Sequence, residues 1–453
     1  MQDQDLRGTT REIERLLSQS DPKRIKEYLE QLTAQEIIFA LSHLSKEEQV
    51  ELLHLLEPRN AADIIDDIPY VQGVDILNEL DNHKAAAIIQ ELDSANQADI
   101  LADLDSDKAE SIIEGFDLPE AENLRQLITY DQDTAGGLMI TEFLAFEEQH
   151  SVGHVVKELR QNVEKYEKYN VQYIYVVREG VFRGVLRMRD ILLSKENILL
   201  SSILIKDVKT VDVDASIEEL IDFFDTYDFY GVPVLDKDSN LIGVVLRKYV
   251  REEQSEKSQM ELLETQGIVG GEELRTMPVL LRSRRRLSWL SVNILLNVIA
   301  ASVIAFYQDT LSSVIALAVF LPVISDMSGC SGNQAVAVSL RELSLGVVKP
   351  FEILRVLLQE FWVGLINGAI LGLLLVVVSY FWKGNVYLGI VAGGALAINT
   401  VVAVLLGGSL PLILKRFNVD PALASGPILT TVTDMFGFFL ALTFASILLP
   451  YLI

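Results

Sequence analysis

Two aspartates, Asp326 and Asp434, stand inside otherwise apolar stretches of the C-terminal part of this chain. Asp326 lies just before Ser328-Gly329-Cys330-Ser331-Gly332-Asn333-Gln334, and Asp434 follows Thr430-Thr431-Val432-Thr433. A charged side chain at membrane depth costs at least about 2.5 kcal/mol, and such residues mark ion pathways, partner charges or polar interiors. Carboxylates accompanied by hydroxyl and amide oxygens make the donor set of a hard cation. The first expectation is therefore a cation-conducting membrane protein with a soluble regulator. The competing reading is that an aspartate caps a broken helix.

The elements that must position these groups are membrane helices. Uncharged stretches of about 20 residues, enough to cross a bilayer, run over 287–308, 361–382 and 384–414. Two more, 310–340 and 421–453, are interrupted only by their aspartates, which makes five spans. Nine of the ten basic residues from Arg282 onward fall on one side, with Lys383 alone opposite. That bias predicts an N-terminus in the cytoplasm and a C-terminus outside it. Gly329 and Gly332 beside Asn333 and Gln334 predict a helix break in the second span, whose freed backbone groups must face protein or water. In the last span Gly426, Thr430, Thr433 or Asp434, and Gly437 form a small, polar stripe at helical spacing. Such a stripe suits either a pore or close helix packing.

Charge divides the chain. Residues 282–453 carry ten Lys/Arg and seven Asp/Glu, or +3, against a total of −26, so residues 1–281 carry −29. So acidic a segment repels phosphate and is no nucleic-acid binder. It suits a cation sensor, or simply solubility. Cys330 is the sole cysteine, which excludes a disulfide framework and any CxxC zinc spacing. No membrane histidine, nucleophile–base pair or metal triad is visible, so an enzyme is not expected. The polar opening Gln2-Asp3-Gln4-Asp5 lacks the apolar core of a signal peptide.

Residues 45–116 repeat with a period of 12, from Ser45–Leu56 to Asp105–Phe116, each unit carrying an apolar pair such as Ile64-Ile65 or Ile88-Ile89. One unit reads as one short helix and a turn, and stacked units form a superhelix with a continuous apolar seam. Asp81, Asp93 and Asp105 fall where an N-cap belongs, which competes with metal binding. After Tyr130-Asp131 the pattern changes to strands and helices. Strands at 171–177 and 182–186 precede a helix at 189–192, and the order recurs at 230–235, 241–246 and 248–250. His150 and His154 have metal-ligand spacing on a helix, but Gly153 and the adjacent strand pattern argue against it. The two halves resemble a tandem pair of CBS domains, modules that commonly bind adenosine nucleotides.

With repeat helices, a CBS pair and five spans in this order, the chain resembles the MgtE family of bacterial magnesium channels. Ser328-Gly329-Cys330-Ser331-Gly332-Asn333-Gln334 is similar to the family's G-G-N-x-G-x-Q, and Asp420-Pro421-Ala422, Gly426-Pro427 and Thr430 to Asp434 match its fifth helix. The resemblance implies a multi-domain membrane protein: a helical superhelix over 1–130, an α/β tandem CBS pair over 131–250, a connecting plug helix over 251–281 and a five-helix all-α pore domain over 282–453. It also implies a homodimer whose pore lies on the two-fold axis, in contact with lipid. In that pore Asp434 of each protomer holds a hydrated Mg²⁺ and Asn333 completes a water-mediated ring.

The same resemblance implies closure by cytosolic Mg²⁺ bridging acidic residues, here Glu218, Asp228, Glu252 and Asp420, and a nucleotide such as ATP near Arg189, Asp190 and Phe229. The chain departs from the family at Lys248-Tyr249, Lys257, Met260 and Arg187, and at Ser328 and Cys330 in the second span. Those departures leave open a channel for another cation with weak Mg²⁺ gating, or a membrane-anchored sensor of Mg²⁺ or nucleotide that conducts nothing.

Overall fold

In this computed structural model, residues 2–453 are described except 20, 167, 168, 170, 171, 272, 276 and 418. The chain divides into two units, Met1–Glu256 and Lys257–Ile453.

In the first unit the 12-residue period becomes a series of short helices, Lys46–Leu55, Pro58–Asp67, Tyr70–Glu79, Asn82–Ile89, Ser94–Asp103 and Ser106–Ile113. A helix this short is marginal alone and is held by packing its apolar face. Each packs on its second neighbour, Pro58–Asp67 on Asn82–Ile89 and Asn82–Ile89 on Ser106–Ile113. The paired residues Ile64-Ile65, Ile76-Leu77, Ile88-Ile89, Ile100-Leu101 and Ile112-Ile113 are all 5% exposed or less, so they form the seam. The turns are capped locally. Ser45 makes a reciprocal capping box with Glu48, Asp81 accepts from the Lys84 N–H at 3.0 Å, and Asp93 accepts from the Asn96 N–H at 3.1 Å. Each such cap is worth about 1 kcal/mol. Asp105 occupies the N-cap position without a side-chain bond.

Among the described residues the same unit continues into seven strands: β1 (Met139–Ile140), β2 (Leu144–Glu147), β3 (Tyr173–Arg178), β4 (Val181–Arg187), β5 (Val211–Asp212), β6 (Gly231–Leu235) and β7 (Leu241–Leu246). Val171, expected at the start of a strand, lies outside the described residues. The two sheets repeat one plan. In the first, β2 pairs parallel with β3 and β3 antiparallel with β4; in the second, β5 pairs parallel with β6 and β6 antiparallel with β7. Parallel neighbours need a crossover, supplied by helices Val152–Gln161 and Ile217–Thr226. The short β1 crosses over and pairs with β7, so a residue pair that precedes the first half completes the sheet of the second. Helix Val152–Gln161 begins after His150, with Ser151 as its cap, so the two histidines do not share a helix face. Their rings instead lie 4.1 Å apart. The final helix, Arg247–Thr265, runs without interruption through the position where the CBS pair was expected to give way to a connecting segment.

Among the described residues, five helices are long and apolar enough to cross a membrane: Val279–Phe306, Ile315–Ser344, Ile353–Lys383, Val386–Arg416 and Ala424–Ile447. The expected break at Gly329 and Gly332 does not occur. The helix Leu321–Ser344 passes through both glycines, and the irregular backbone lies earlier, in the 3-10 segment Ile315–Val319. A glycine weakens a helix by only about 1 kcal/mol, less than unpaired backbone costs in hydrocarbon. Gly332 serves close approach instead, whereas a methyl group at Gly329 would meet nothing within 4 Å. A methyl group added at Gly332 would stand 3.0 Å from the Ala403 carbonyl oxygen, and one at Gly407 would stand 2.2 Å from that of Gly332. One side of the irregular segment packs on protein, with Leu317 and the adjoining Phe320 fully buried, while Ile315 is exposed. The third and fourth spans meet backbone to backbone through Gly364, Gly368, Gly372 and Gly393, the small-residue spacing that lets membrane helices touch.

Candidate functional site

Asp434 lies near the middle of the fifth span and is half-buried. Its Oδ1 accepts a hydrogen bond from Ser325 Oγ of the second span. Gly426 and Thr430 precede Asp434 by two turns and one turn on the same helix face. A methyl group added at Gly426 would meet nothing within 4 Å. Thr433 and Gly437, on the side of this stripe nearest the fourth span, meet a neighbouring helix: Asn399 of the fourth span donates to the Thr433 carbonyl at 3.0 Å, and a methyl group at Gly437 would stand 2.5 Å from Asn399 Nδ2. The stripe thus divides between its two readings, with Thr433 and Gly437 packing against the fourth span, Gly426 beside open space, and Thr430 and Asp434 half-buried between them.

Asn333 is exposed on the second span, as are Asp326 and Cys330. The residue bonded to Asp434 is Ser325, which sequence reasoning passed over. A hydroxyl one position before an intramembrane aspartate was the available signal. Ser328 is the reverse case, fully buried with no hydrogen-bond partner for its hydroxyl.

Asp420 caps the fifth helix, accepting from the Ala422 N–H at 2.8 Å. Burial and the neighbouring Asp420 carboxylate push the Glu264 carboxyl above its ordinary range. Glu261 of the same connecting helix accepts from Ser344 Oγ, which ends the second span, at 3.4 Å. Glu264 was not among the expected ligands, although it lies two helical turns beyond the substituted Lys257.

In the first unit the remaining candidates separate. Glu218 is exposed in the first turn of helix Ile217–Thr226, where it complements the helix dipole. Asp228 is fully exposed and pairs with Arg247 at 3.2 Å. Glu252 lines a cavity of about 250 Å³ with Asp66, Tyr70, Asn96, Lys248 and Glu256. Burial raises the Asp66 and Glu252 carboxyls and the Lys248 ammonium opposes the rise. Tyr249 donates to Asp93. Lys248 thus supplies positive charge among these acids. Among the described residues, no three His, Cys, Asp or Glu side chains converge in a manner that would hold a metal ion.

Next to this cavity, burial pushes Asp99 up to about 7, reinforced by Glu253 and opposed by a Gln132 hydrogen bond. A carboxyl raised on folding binds more protons in the folded state, so its stabilising contribution is complete below pH 4 and is lost as pH rises through about 7. The full chain in detergent is expected to melt a few degrees lower at pH 8 than at pH 5.5, and Asp99→Asn to flatten that difference. An unchanged pH slope in the variant would show that other groups carry it.

A second, larger cavity of about 880 Å³ opens between the two sheets. Arg187, Arg189 and Lys209 supply cations, Tyr173, Phe229 and Tyr230 supply ring faces, and Asp228 stands at its wall. Two of the three expected nucleotide contacts, Arg189 and Phe229, are brought together there. Asp190 instead pairs with Arg189 at 3.5 Å. Arg187, noted in the sequence as a departure, lines the cavity as a further cation. Gly184 lets the backbone of Ile205, a cavity residue, approach closely, since a methyl group there would stand 2.2 Å from the Ile205 carbonyl oxygen.

Residues 321–444 match the family model of MgtE, a divalent cation transporter; residues 32–133 match the MgtE intracellular N domain and residues 200–256 a CBS domain. The magnesium transporter MgtE of Thermus thermophilus is 34% identical over 327 residues, 71% of this chain and 72% of that one. Its counterpart in Enterococcus faecalis is 31% identical over 335 residues, 74% and 73% of the two chains. A solved structure of the soluble part of a magnesium transporter aligns with 56% of this chain and 99% of its own, at 24% identity and a TM-score of 0.49. With its intracellular N domain, CBS domain and apolar helices in that order, this multi-pass membrane protein belongs to the MgtE family of magnesium transporters.

Proposed function

We propose that this chain moves Mg²⁺ across the membrane as a homodimer, through a path lined by its second and fifth spans, with the N-terminal unit in the cytoplasm. The observation that carries this reading is Asp434: a half-buried carboxylate at mid-span, steadied by Ser325 and preceded two turns earlier by Gly426 with room beside it. Mg²⁺ keeps its waters and is bound through one or two carboxylates, so one aspartate from each of two protomers is a sufficient ring. Asn333 adds an amide oxygen on the exposed face of the second span. The orientation follows the excess of basic residues on one side. In a bacterial strain lacking its own magnesium uptake, the full chain restores growth in low-Mg²⁺ medium. No restoration despite normal membrane insertion would contradict the reading.

Regulation belongs to the carboxylates Asp420 and Glu264, two like charges held together at the start of the fifth helix. Such a pair is relieved by a shared proton or a divalent cation, and binding there couples the connecting helix to the pore helices. Glu218, Asp228 and Glu252 are further candidates for Mg²⁺, with Lys248 offsetting the charge around Glu252. The 880 Å³ cavity suits a nucleotide such as ATP, with Arg187, Arg189 and Lys209 for phosphates and Phe229 and Tyr230 for a base. Replacing Arg189 or Lys209 by alanine weakens ATP binding about tenfold each, the usual worth of a charge-assisted hydrogen bond, as measured by calorimetry on the full chain. Equal affinities in wild type and both variants would remove the cavity from consideration.

A second reading, altered ion selectivity, is favoured by one observation. Cys330, exposed on the second span, places a thiol where the family motif has asparagine.

A further inference from the structure

The second span carries a carboxylate that the site described above leaves unused. Asp326 follows Ser325, whose hydroxyl donates to Asp434. It therefore lies at nearly the same depth, about 1.5 Å along the helix and about 100° around it. Asp326 is exposed, and so are Cys330, Asn333, Ala337 and Arg341. Their spacing of four, seven, eleven and fifteen residues defines one helix face. Other exposed membrane faces are mostly hydrocarbon, as with Leu290, Ile294 and Val298 of the first span, which also exposes Asn297, or Ile366, Ile370 and Leu374 of the third. The Asp326 face is small and polar, and a carboxylate at that depth cannot be turned to lipid without a cost of at least about 2.5 kcal/mol.

Resting on the transport reading above, we propose that Asp326 lines the same ion path as Asp434 and sets its specificity. Each protomer then presents two carboxylates at one depth, from different helices. The hydrated divalent ion is attracted by both, and the attraction scales with its charge, so Asp326 favours Mg²⁺ over a monovalent cation. Ser325 holds the two helices in register and leaves Asp326 free to face the ion.

The chain supplies its own reporter, because Cys330 is its sole cysteine, exposed and one helical turn from Asp326. In proteoliposomes of the full chain, a membrane-impermeant cationic methanethiosulfonate reagent is expected to modify Cys330, and Mg²⁺ to slow that modification. Asp326→Asn should leave the thiol reactive but raise the protecting Mg²⁺ concentration about tenfold, while Asp326→Glu stays within about twofold of wild type. Flux measured in parallel should show a similar rise in half-saturating Mg²⁺ and a reduced preference for Mg²⁺ over Na⁺. A thiol reached only by lipid-permeant reagents, or Mg²⁺ protection indifferent to Asp326→Asn, would overturn the proposal. Protection that depends on Asp326 in a protein that passes no Mg²⁺ would support this ion site while refuting the transport reading.

Discussion

Replacing Asp434 by asparagine is expected to lower Mg²⁺ flux through the reconstituted protein by about a hundredfold or more. The side chain keeps its size and can still accept from Ser325, so the helix contact survives and only the charge is lost. A unit charge acting on a divalent ion across one water layer is worth several kcal/mol, on the order of 5, even at an effective dielectric near 20. Asp434→Ala should lose flux equally and remain inserted and dimeric, because removing a carboxylate from a wet face leaves no buried partner charge. Stopped-flow fluorescence with an Mg²⁺ indicator inside liposomes measures both variants. Wild-type flux in both would remove Asp434 from the path.

The second large effect concerns two adjacent glycines in the fourth span. A methyl group at Gly393 would stand 2.4 Å from the Gly372 carbonyl oxygen and 2.5 Å from Val376 Cγ2, whereas at Gly394 the nearest atom, of Phe444, is 3.8 Å away. Alanine is the better helix former by about 1 kcal/mol, so local propensity favours both substitutions. Packing opposes one of them. A carbonyl oxygen of a neighbouring helix cannot yield without parting the helices, and overpacking of this kind costs about 1–3 kcal/mol or more. Gly393→Ala is therefore expected to reduce the folded, monodisperse fraction in detergent at least about threefold, with Gly394→Ala close to wild type. Equal recovery of the two would show that the third and fourth spans do not rely on this approach.

These cases show what was legible in the residues. The 12-residue period was read directly, because each unit must bury its own apolar pair and the pairs at Ile88-Ile89 and Ile112-Ile113 are buried as expected. Span number followed from length and the absence of charge, and the caps at Asp81 and Asp93 from their positions. The break expected at Gly329 and Gly332 failed because composition does not distinguish a glycine that bends a helix from one that admits a neighbour. For Gly332 only the opposing residues, Ala403 and Gly407, make the distinction, and Gly329 has no such neighbour. The repeat Gly364, Gly368, Gly372 was a legible packing signal that was not used.

The candidate site divides in the same manner. Asp434 was visible because charge in an apolar run is anomalous, but Ser325 and Glu264 were not, since their roles arise from helices distant in sequence. For the same reason Arg187, though noticed, could not be placed in the cleft: its neighbours Lys209 and Tyr230 come from the other half of the sheet pair.

The central claim is conduction of Mg²⁺, and it is tested most directly by the initial rates of Mg²⁺, Mn²⁺, Co²⁺, Ca²⁺ and Na⁺ entry into liposomes holding the purified wild-type chain. Saturable Mg²⁺ entry, well above that of Na⁺ and absent from empty liposomes, is the predicted result. Correctly inserted dimers that pass none of these ions would contradict it and leave a membrane-anchored sensor, and Na⁺ entry equal to that of Mg²⁺ would contradict the divalent path.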